Sequence, residues 1–399
     1  MNSRQSTYVS DSCPVCDSTD IDIFVEISDV PVHCNRLWPS REDALRVPKG
    51  DIRLGFCVAC GHVFNIAFNP DLMKYSQEYE NSLHFSLRFQ EYARSLATRL
   101  LQDYDLYNKD IIEIGCGKGD FLMMLCELGQ NRGIGFDPSY VSGRIQNPAK
   151  GHFTIIQDFY SERYANYNSD IICCRHVLEH IRFPRDFLNS VRRSITSQSG
   201  TVVYFEVPNV MFTLKNLGIW DLIYEHCGYF TFHSLAHIFD ACGFHVTRLK
   251  DGFEGQFLCI DALPVEGLSH LEENNCNSSE ETADYVSAFA DRYNSKIEEL
   301  KCKLERMQDN KQRVVIWGAG SKGVTFLNTL KLQDKIEYVV DINSAKHGMY
   351  IAGTGQKIVR PEFLRQYRPD IVIVMNPIYL NEIQRIMLRM NLSSDLISV

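Results

Sequence analysis

Residues 111–125 read IIEIGCGKGDFLMML, an apolar pair followed by three glycines at alternate positions and then by a second apolar run. This pattern predicts a buried strand, a glycine turn and a helix. Glycine at positions 115, 117 and 119 would let the backbone approach a bound ligand, and the free amide groups that open the helix would face the ligand's polar part. Glycine-rich corners are weak evidence alone, so an ordinary turn between a strand and a helix is the alternative interpretation.

Two carboxylates follow at the ends of the next strands. The strand Gly133–Phe136 ends at Asp137, whose carboxylate can accept hydrogen bonds from both hydroxyl groups of a ribose. Asp158, directly before Phe159, holds a similar position after the strand Thr154–Ile156. Because ligands of α/β sheets bind at the carboxyl ends of the strands, the two acids favour a ligand site over a plain turn.

The composition bounds the class of protein. The chain has 399 residues, a formal net charge of −9 and 14 cysteines. At ~150 residues per domain, this length predicts two or three domains. The acidic balance without a basic run argues against a nucleic-acid groove, so the expected partner is a small molecule. The N-terminus has no apolar leader, and no stretch approaches the ~20 apolar residues of a membrane span, so a cytoplasmic protein with no membrane contact is expected.

Two C-x2-C knuckles, Cys13-Pro-Val-Cys16 and Cys57-Val-Ala-Cys60, predict a zinc ribbon. Each knuckle can present two thiolates on one side of a tight turn, and together they complete a tetrahedral shell with no open position, which is a structural site. Positions 17–56 exceed the ~15–20 residues of a compact ribbon, so a strand pair and a loop are expected between the knuckles. Four incidental thiols or a nucleic-acid-binding zinc finger are the alternatives, and the interval lacks the basic face of a finger.

Composition shifts divide the chain into four segments. Residues 1–68 are the predicted zinc-binding domain. Helical spacing begins at about Asn69 and runs to Leu101, which would place Tyr75 and Tyr79 on one helix face. Strands then alternate with helices to residue 263, so residues 69–263 predict a parallel sheet covered on both faces. A polar linker and a long amphipathic helix that packs across domains are predicted for residues 264–311. Residues 312–399 restart with the apolar strand Val314–Trp317 and predict a small half-Rossmann α/β domain. The helix prediction rests on helical spacing of Tyr285, Phe289, Tyr293, Ile297, Leu300 and Leu304.

The last segment carries a second glycine motif. Gly318-Ala-Gly-Ser-Lys-Gly323 matches the dinucleotide pattern G-x-G-x-x-G, and Asp341 follows at about the expected ~20 residues. Taken alone, this motif would favour binding of NAD. The domain spans fewer than ~90 residues, however, and shows one partial mononucleotide half where dinucleotide domains use two. Binding of a diphosphate or substrate, a packing turn and NAD chemistry therefore stay open. Asn376-Pro-Ile-Tyr379 is interpreted as a turn at a strand end.

Zinc ribbon, glycine motif, long helix and C-terminal α/β domain occur in this order in a known family. The chain resembles sugar C-methyltransferases, which depend on S-adenosylmethionine (SAM) and act on nucleotide-linked keto-sugars, and the likeness covers nearly the whole chain. The spacing E-x-G-x-G-x-G resembles the first motif of class I SAM methyltransferases. The most specific motifs are Tyr75–Ser82, Arg175–Ile181, Glu206–Asn209, Tyr224–Phe230 and Gly318–Gly323.

The resemblance implies ligands for each part. The four cysteines would hold a structural zinc ion, and the C-terminal domain would help to hold the nucleotide of the substrate. The implied SAM-binding residues are Glu113, Gly115, Gly117, Gly119 and Asp137, with Asp158 at the adenine amine. The implied substrate-binding residues are Asn209, Gly318, Gly320, Ser321 and Lys322.

The active-site motif departs from the family pattern. In the family, Tyr-His-Glu-His before a Tyr-Phe pair carries the base, and the corresponding run here is Ile223–His226. Glu225 and His226 align with the last two residues. Either Tyr224 replaces the first histidine, or that histidine is deleted and Tyr224 is the family tyrosine. The catalytic candidates are His226, Glu225, Tyr224, His180, Tyr75 and Tyr79.

Methylation of a carbon next to a ketone requires a base for a weakly acidic proton, a donor for the enolate oxygen and an aligned methyl group. A histidine can be that base at neutral pH, and we expect it to be His226. Glu225 would orient it, or would grip a sugar hydroxyl or amine, because adjacent residues point apart. His180 is expected at the carboxyl edge of the sheet, where its role is either structural or in the active site. Methylation of oxygen or nitrogen, an NAD-linked oxidoreductase and a noncatalytic binding protein are the alternatives.

Overall fold

The computed structural model describes residues 10–73, 79–140, 152–195, 200–265, 279–333 and 335–399, which form three sheets. The strands are β1 (Ile21–Pro31), β2 (Lys49–Cys57), β3 (Val63–Asn65), β4 (Asp110–Ile114), β5 (Arg132–Phe136), β6 (His152–Ile156), β7 (Ile171–Arg175), β8 (Val202–Pro208), β9 (Gly228–Tyr229), β10 (Phe244–Gly252), β11 (Phe257–Pro264), β12 (Val314–Trp317), β13 (Tyr338–Val340), β14 (Lys357–Val359), β15 (Ile371–Val374) and β16 (Asp395–Ser398).

The α-helices lie between these strands. They are α1 (Arg41–Leu45), α2 (Leu87–Asp103), α3 (Asp120–Gly129), α4 (Pro184–Ser194), α5 (Val210–Asn216), α6 (Phe232–Ala241), α7 (Ser279–Asp309), α8 (Ser321–Thr329), α9 (Leu364–Tyr367) and α10 (Leu380–Arg389). Within the described ranges, no helix is long and apolar enough to cross a membrane.

The central sheet has the order β10-β11-β8-β7-β4-β5-β6, in which β11 runs antiparallel to both of its neighbours. Strand β4 is flanked by β5 and β7, and both pairings are parallel. The chain therefore runs from β4 to β5 and β6 on one side and later returns to β7 on the other side. This reversal of strand order opens a crevice outside the carboxyl end of β4. This arrangement confirms the predicted class I methyltransferase fold.

The N-terminal sheet is antiparallel, with the order β1-β2-β3-β9. Strands β1 and β2 fill the interval between the two cysteine knuckles, as the spacing predicts. Strand β9 comes from the far end of the central region, and its Tyr229 and Gly228 pair with Val63 and Phe64. This pairing fixes the backbone that directly follows Tyr224–Cys227.

The C-terminal sheet is parallel throughout, with the order β14-β13-β12-β15-β16. The sequence predicts β12, β13 and β15, which are the apolar strands. The edge strands β14 and β16 have exposed ends and carry a weaker apolar signal. The second glycine motif lies between β12 and α8, at the point where the chain leaves the middle strand.

The long helix is confirmed as α7, which spans 31 residues. Its buried residues recur at helical spacing, and the helix packs against β1 and α5, so it joins the N-terminal and central regions. Phe289, for example, contacts Phe24 with their ring centroids 6.4 Å apart.

The helical spacing expected from about Asn69 is wrong for the first part of that segment. Helix α2 begins only at Leu87, and Ser86 caps it, because the Ser86 side chain accepts a hydrogen bond from Phe89 N. Tyr79 lies in an isolated extended bridge with Arg36, because the segment between β1 and β2 supplies a backbone partner that competes with a helix. Tyr75 lies outside the described residues.

Candidate active site

A cavity of about 710 Å³ lies where the carboxyl ends of the central strands face the second glycine motif. We call Gly115–Gly119 the first glycine turn and Gly318–Gly323 the second glycine turn. Both turns line the cavity, and the N-terminal region contributes Asn35. Sequence motifs that are some 200 residues apart therefore share one ligand site.

The first glycine turn has the backbone that its sequence predicts. Gly115, Gly117 and Gly119 all have positive φ, with values of 68°, 55° and 83°. A Cβ atom on Gly117 would meet no atom of the described residues within 4 Å, so this face of the turn is open to the cavity. A bound cofactor can approach the backbone at this point.

Asp137 stands beside the first glycine turn. Its Oδ2 accepts a hydrogen bond from Gly117 N at 2.8 Å, and its Oδ1 accepts one from Ser139 N at 2.8 Å. The carboxylate lines the cavity and is largely buried. It is therefore fixed by backbone groups where the sequence places the acceptor for ribose hydroxyls.

Glu113 at the end of β4 is a buried carboxyl with unused hydrogen-bonding capacity. It is 3% exposed, and its Oε2 has no hydrogen-bond partner among the described residues. Burial raises its pKa to about 8. A buried polar atom without a partner costs free energy, and the cavity beside it can hold a donor such as the ammonium group of SAM. The residues of this site therefore fit the predicted cofactor.

Asp158 lines the cavity near Asp137, but its carboxylate is already occupied. Its Oδ1 accepts from Phe159 N at 2.8 Å, and its Oδ2 accepts from the Tyr164 hydroxyl at 2.5 Å and pairs with Arg163. The prediction that Asp158 holds the adenine amine requires this ion pair to open, and it stays a prediction.

His226 and His180 meet at the cavity wall. Their ring centroids lie 4.8 Å apart, and both side chains line the cavity. Burial and the neighbouring His180, His176 and Lys322 lower the pKa of His226 well below 6.5. His226 Nδ1 has no hydrogen-bond partner in the part of the chain that the structure describes. A neutral imidazole with a nitrogen available is suited to accept a proton.

A backbone hydrogen bond determines which nitrogen of His180 carries the proton. Its Nδ1 lies 2.8 Å from Glu225 O, and a carbonyl oxygen can only accept. The proton is therefore assigned to Nδ1, and Nε2 is the acceptor nitrogen. Cys227 N also donates to Glu179 O at 2.9 Å, so the two histidine-bearing loops are tied together.

Glu225 points away from the cavity into the N-terminal region. The side chain is fully buried, its Oε2 accepts from Cys34 N at 3.0 Å, and its Oε1 lies 4.0 Å from His33 Nδ1. Burial raises its pKa, and a hydrogen bond from Tyr79 opposes that rise. Glu225 is thus placed to position the His226 backbone, because adjacent side chains point apart.

Tyr224 is also outside the cavity. Its hydroxyl accepts from Asn69 N at 2.9 Å, and its ring packs on Phe68 and against Gly50. A Cβ at Gly50 would lie 2.4 Å from that ring. The geometry gives Tyr224 a packing role between the N-terminal and central regions, and we do not propose it as the base.

Sequence reasoning assigned no role to a buried network around Glu206. This carboxylate is fully buried and accepts from Arg175 Nη2 at 2.8 Å and from the hydroxyl groups of Tyr204, at 3.1 Å, and Tyr92. His176 Nε2 lies 2.9 Å from the same carboxylate, and neighbouring carboxylates raise the pKa of His176 to about 9 against the opposing effect of its burial. Charged residues at the ends of two apolar strands are the signal that could have revealed this network.

The second glycine turn is also fixed by a carboxylate. Ala319 N donates to Asp341 Oδ2 at 2.8 Å, and Lys346 Nζ donates to Ala319 O at 3.1 Å. A Cβ at Gly323 would lie 2.0 Å from Gly318 O, so glycine is required where α8 packs on the turn. The motif therefore has both a packing function and an open face toward the cavity.

The remaining predicted substrate residues also line the cavity. Ser321 and Lys322 lie in the first turn of α8, and the Lys322 ammonium group pairs with Asp221. Asn209 caps α5, where its side chain accepts from Met211 N at 3.0 Å and donates to Gly255 O at 2.9 Å. Lys322 and Asp221 thus form an ion pair in the wall of the cavity, whereas the amide of Asn209 is used by the fold.

The four predicted zinc ligands converge. Their Sγ atoms all lie within 4.8 Å of one another, with Cys13 to Cys60 at 3.6 Å and Cys16 to Cys57 at 3.5 Å. A tetrahedral shell with Zn–S bonds of about 2.3 Å requires sulfur atoms roughly 3.8 Å apart. The donor set therefore fits a structural zinc ion and leaves no position for a substrate.

Two family models match this chain. Residues 85–249 match a model described as a methyltransferase domain, and residues 264–392 match one described as a C-methyltransferase C-terminal domain. The C-methyltransferase NovU of Streptomyces niveus is 23% identical over 392 residues, which cover 94% of this chain and 91% of NovU. The similarity thus extends across all three sheets.

Solved methyltransferase structures are similar to a part of this chain. Magnesium protoporphyrin IX methyltransferase from Synechocystis PCC 6803 is 14% identical, has a TM-score of 0.35, and aligns over 46% of this chain and 89% of its own. The 1,6-didemethyltoxoflavin-N1-methyltransferase of Burkholderia thailandensis is 12% identical, also has a TM-score of 0.35, and aligns over 45% of this chain and 80% of its own.

Proposed function

We propose that this chain is a SAM-dependent C-methyltransferase whose substrate is a nucleotide-linked keto-sugar, methylated at the carbon next to the ketone, and the matches to a methyltransferase domain and to a C-methyltransferase C-terminal domain support this. The proposal is carried by one observation: the His180 and His226 pair lies in the same cavity as both glycine turns. A base between a cofactor site and a nucleotide site suits removal of a carbon-bound proton.

His226 is the proposed base. When bound, SAM supplies an electrophilic methyl group. His226 is neutral at pH 7 because its pKa is lowered, so it can accept the proton from the sugar carbon. Lys322, close enough to lower that pKa, supplies positive charge for the oxygen on which negative charge develops. His180, as the Nδ1–H tautomer, would accept a hydrogen bond from a sugar hydroxyl at Nε2.

The second glycine turn is the proposed diphosphate site. The residues that open α8 line the cavity, together with Lys322 and Lys346, which also pair with Asp221 and Asp341. Helix N-termini with neighbouring lysines favour phosphate groups. The cavity also has the volume of a small-molecule site, since such sites measure roughly 300–1,000 Å³.

Labelled methyl transfer tests the substrate class. The protein is incubated with candidate nucleotide-linked keto-sugars and methyl-labelled SAM, and the products are analysed by mass spectrometry. We expect one labelled methyl group on carbon. In deuterium oxide without SAM, the same substrate should take up one deuterium at that carbon. Methyl transfer to oxygen or nitrogen with no deuterium uptake would instead favour the alternative methyltransferase function.

A further inference from the structure

A buried carboxylate outside the proposed reaction joins the three sheets. Glu80 is 3% exposed, and its N–H donates to Asn35 O at 2.9 Å. Its Oε2 accepts from Lys118 Nζ at 2.5 Å. Its Oε1 accepts from Asn343 Nδ2 at 3.0 Å and from Ser82 N at 3.3 Å. One residue therefore contacts three regions: its backbone bonds to the N-terminal region, and its carboxylate bonds to the central and C-terminal regions.

Both side-chain partners of Glu80 are linked to a glycine turn. Lys118 is part of the first glycine turn. Asn343 N donates to Asp341 Oδ1 at 2.8 Å, and Asp341 Oδ2 accepts from Ala319 N at 2.8 Å in the second glycine turn. A continuous chain of hydrogen bonds thus runs from one turn to the other through Glu80.

The charge of Glu80 requires both partners. Burial acts to raise its pKa, but the hydrogen bonds from Lys118 and Asn343 outweigh burial and lower the pKa. A buried charge that loses one partner is strongly destabilised. The arrangement that satisfies Glu80 is therefore the one in which both turns are in place together.

We propose that Glu80 is a positioning residue that couples the two ligand sites, so that a cofactor at the first glycine turn and a nucleoside diphosphate at the second strengthen each other's binding. The inference rests on the proposed function for the nucleotide at the second turn. Because binding linkage is reciprocal, either ligand must increase the affinity of the other by the same factor.

Calorimetric titration of the whole protein tests the coupling. S-adenosylhomocysteine, which cannot react, is titrated with and without saturating uridine diphosphate, and separately with and without thymidine diphosphate. The wild-type protein should bind it about fivefold or more tightly when the nucleotide is present, which is the lower end of typical coupling. Glu80→Gln removes the charge, so the ratio should fall to about one.

A second variant guards against a folding defect. Asn343 Oδ1 accepts from Ala345 N at 3.0 Å, and Asn343→Ser keeps a side-chain oxygen at this helix-capping position but removes the amide donor to Glu80 without adding a charge. In this variant, as in Glu80→Gln, the ratio of affinities with and without nucleotide should fall to about one. Glu382→Gln is the matched control, because Glu382 lines the same cavity and also joins the central and C-terminal regions, but its bonds are to Ser86 Oγ at 2.6 Å and Leu87 N at 3.0 Å and not to either turn. It should keep the wild-type ratio.

The outcomes separate the two proposals. A wild-type protein that binds both ligands with a ratio of one overturns the coupling and leaves the proposed function intact. A wild-type protein that binds neither nucleotide overturns both. Equal loss of the ratio in Glu80→Gln and Glu382→Gln would show that the coupling depends on domain contact in general and would overturn the role of Glu80.

Discussion

The two glycine turns are built alike but present different charges. In each, a carboxylate from the next strand accepts a backbone N–H from the turn at 2.8 Å, Gly117 to Asp137 and Ala319 to Asp341. The other oxygen of each carboxylate accepts, also at 2.8 Å, the N–H two residues further along the chain. One backbone device therefore occurs twice in the molecule.

The difference is a lysine. Lys346 Nζ lies 3.8 Å from Asp341 Oδ2, whereas no cation of the described residues lies within ion-pair distance of Asp137. An acid with no cation beside it suits the ribose hydroxyl groups of the proposed cofactor, whereas an acid paired with a lysine suits the anionic nucleotide proposed at the second turn. We therefore predict that this one lysine sets the ligand class of the second turn.

Loss of zinc tests whether the N-terminal region supports one turn more than the other. Structural zinc contributes on the order of 10 kcal/mol in small modules. We expect one zinc per chain, and Cys57→Ser should lose it and unfold the module while changing SAM affinity less. Asn35 lies close to Gly320, so nucleotide affinity should suffer more. Elemental analysis and calorimetry measure this, with exposed Cys302→Ser as the control. A folded, metal-free wild-type protein would contradict the prediction.

Replacing the base should leave both turns able to bind. His226→Asn should retain cofactor and nucleotide affinity and lose roughly 10² to 10⁴ in rate, the range that general base catalysis supplies. Deuterium uptake by the substrate should fall in parallel. His245→Asn, on an exposed position of β10, is the control. If His226→Asn exchanges deuterium at the wild-type rate, the base is another residue, and His180 is the next candidate.

Replacing the acid of each turn by alanine, in two separate variants, tests the comparison directly. Asp137→Ala should weaken SAM binding by about 1 to 3 kcal/mol, the usual cost of a lost charged hydrogen bond, and leave nucleotide affinity within twofold. Asp341→Ala should weaken nucleotide binding by a similar amount, because Ala319 N of the second turn loses its acceptor, and should leave SAM affinity within twofold. Titration calorimetry with one ligand at a time measures both. Unchanged SAM affinity in Asp137→Ala would refute the placement of the ribose.

The lysine itself is tested by Lys346→Met, which keeps the aliphatic stem and removes the charge. Nucleoside diphosphate affinity should fall about tenfold, since a hydrogen bond to a charged group contributes ~1.5 kcal/mol or more. SAM affinity should not change. Lys357→Met, at an exposed position of β14, is the control. Equal effects of the two variants would point to long-range charge rather than to neutralisation of Asp341.

The smallest expected effect is on the pH profile. His226 must be neutral to act, and burial with nearby positive groups lowers its pKa well below 6.5. With SAM saturating, so that titration of Glu113 does not limit cofactor binding, the rate should therefore stay constant from pH 8 down to about pH 6.5 and fall only at lower pH, where His226 becomes protonated. Steady-state kcat/KM measurements check this. A decline that begins above pH 7 would assign the base to a group with an ordinary or raised pKa.

Features set by short-range patterns could be predicted from the sequence. The first glycine turn follows from glycines two residues apart, and the cysteine knuckles follow from thiol spacing, because local backbone geometry determines both. The class I fold then follows from the alternation of strands and helices.

Features that depend on distant partners could not be predicted. The hydroxyl of Tyr224 bonds to a residue 155 positions away, and Glu80 bonds to Asn343 across 263 positions. Tyr79 left the expected helix for a bridge with Arg36 for the same reason. No local pattern distinguishes such polar residues from solvated ones, because their partners are brought near only by tertiary packing.

Strand β9 has a consequence for how the protein is made. Its two residues close the edge of β3, yet β3 leaves the ribosome more than 160 residues earlier. During synthesis the nascent N-terminal sheet therefore exposes an unpaired edge, the kind of surface on which strands of other chains add. A chaperone that covers this edge should raise the yield of active protein, and slower translation should lower it, because the edge stays exposed until β9 docks beside His226, the proposed base.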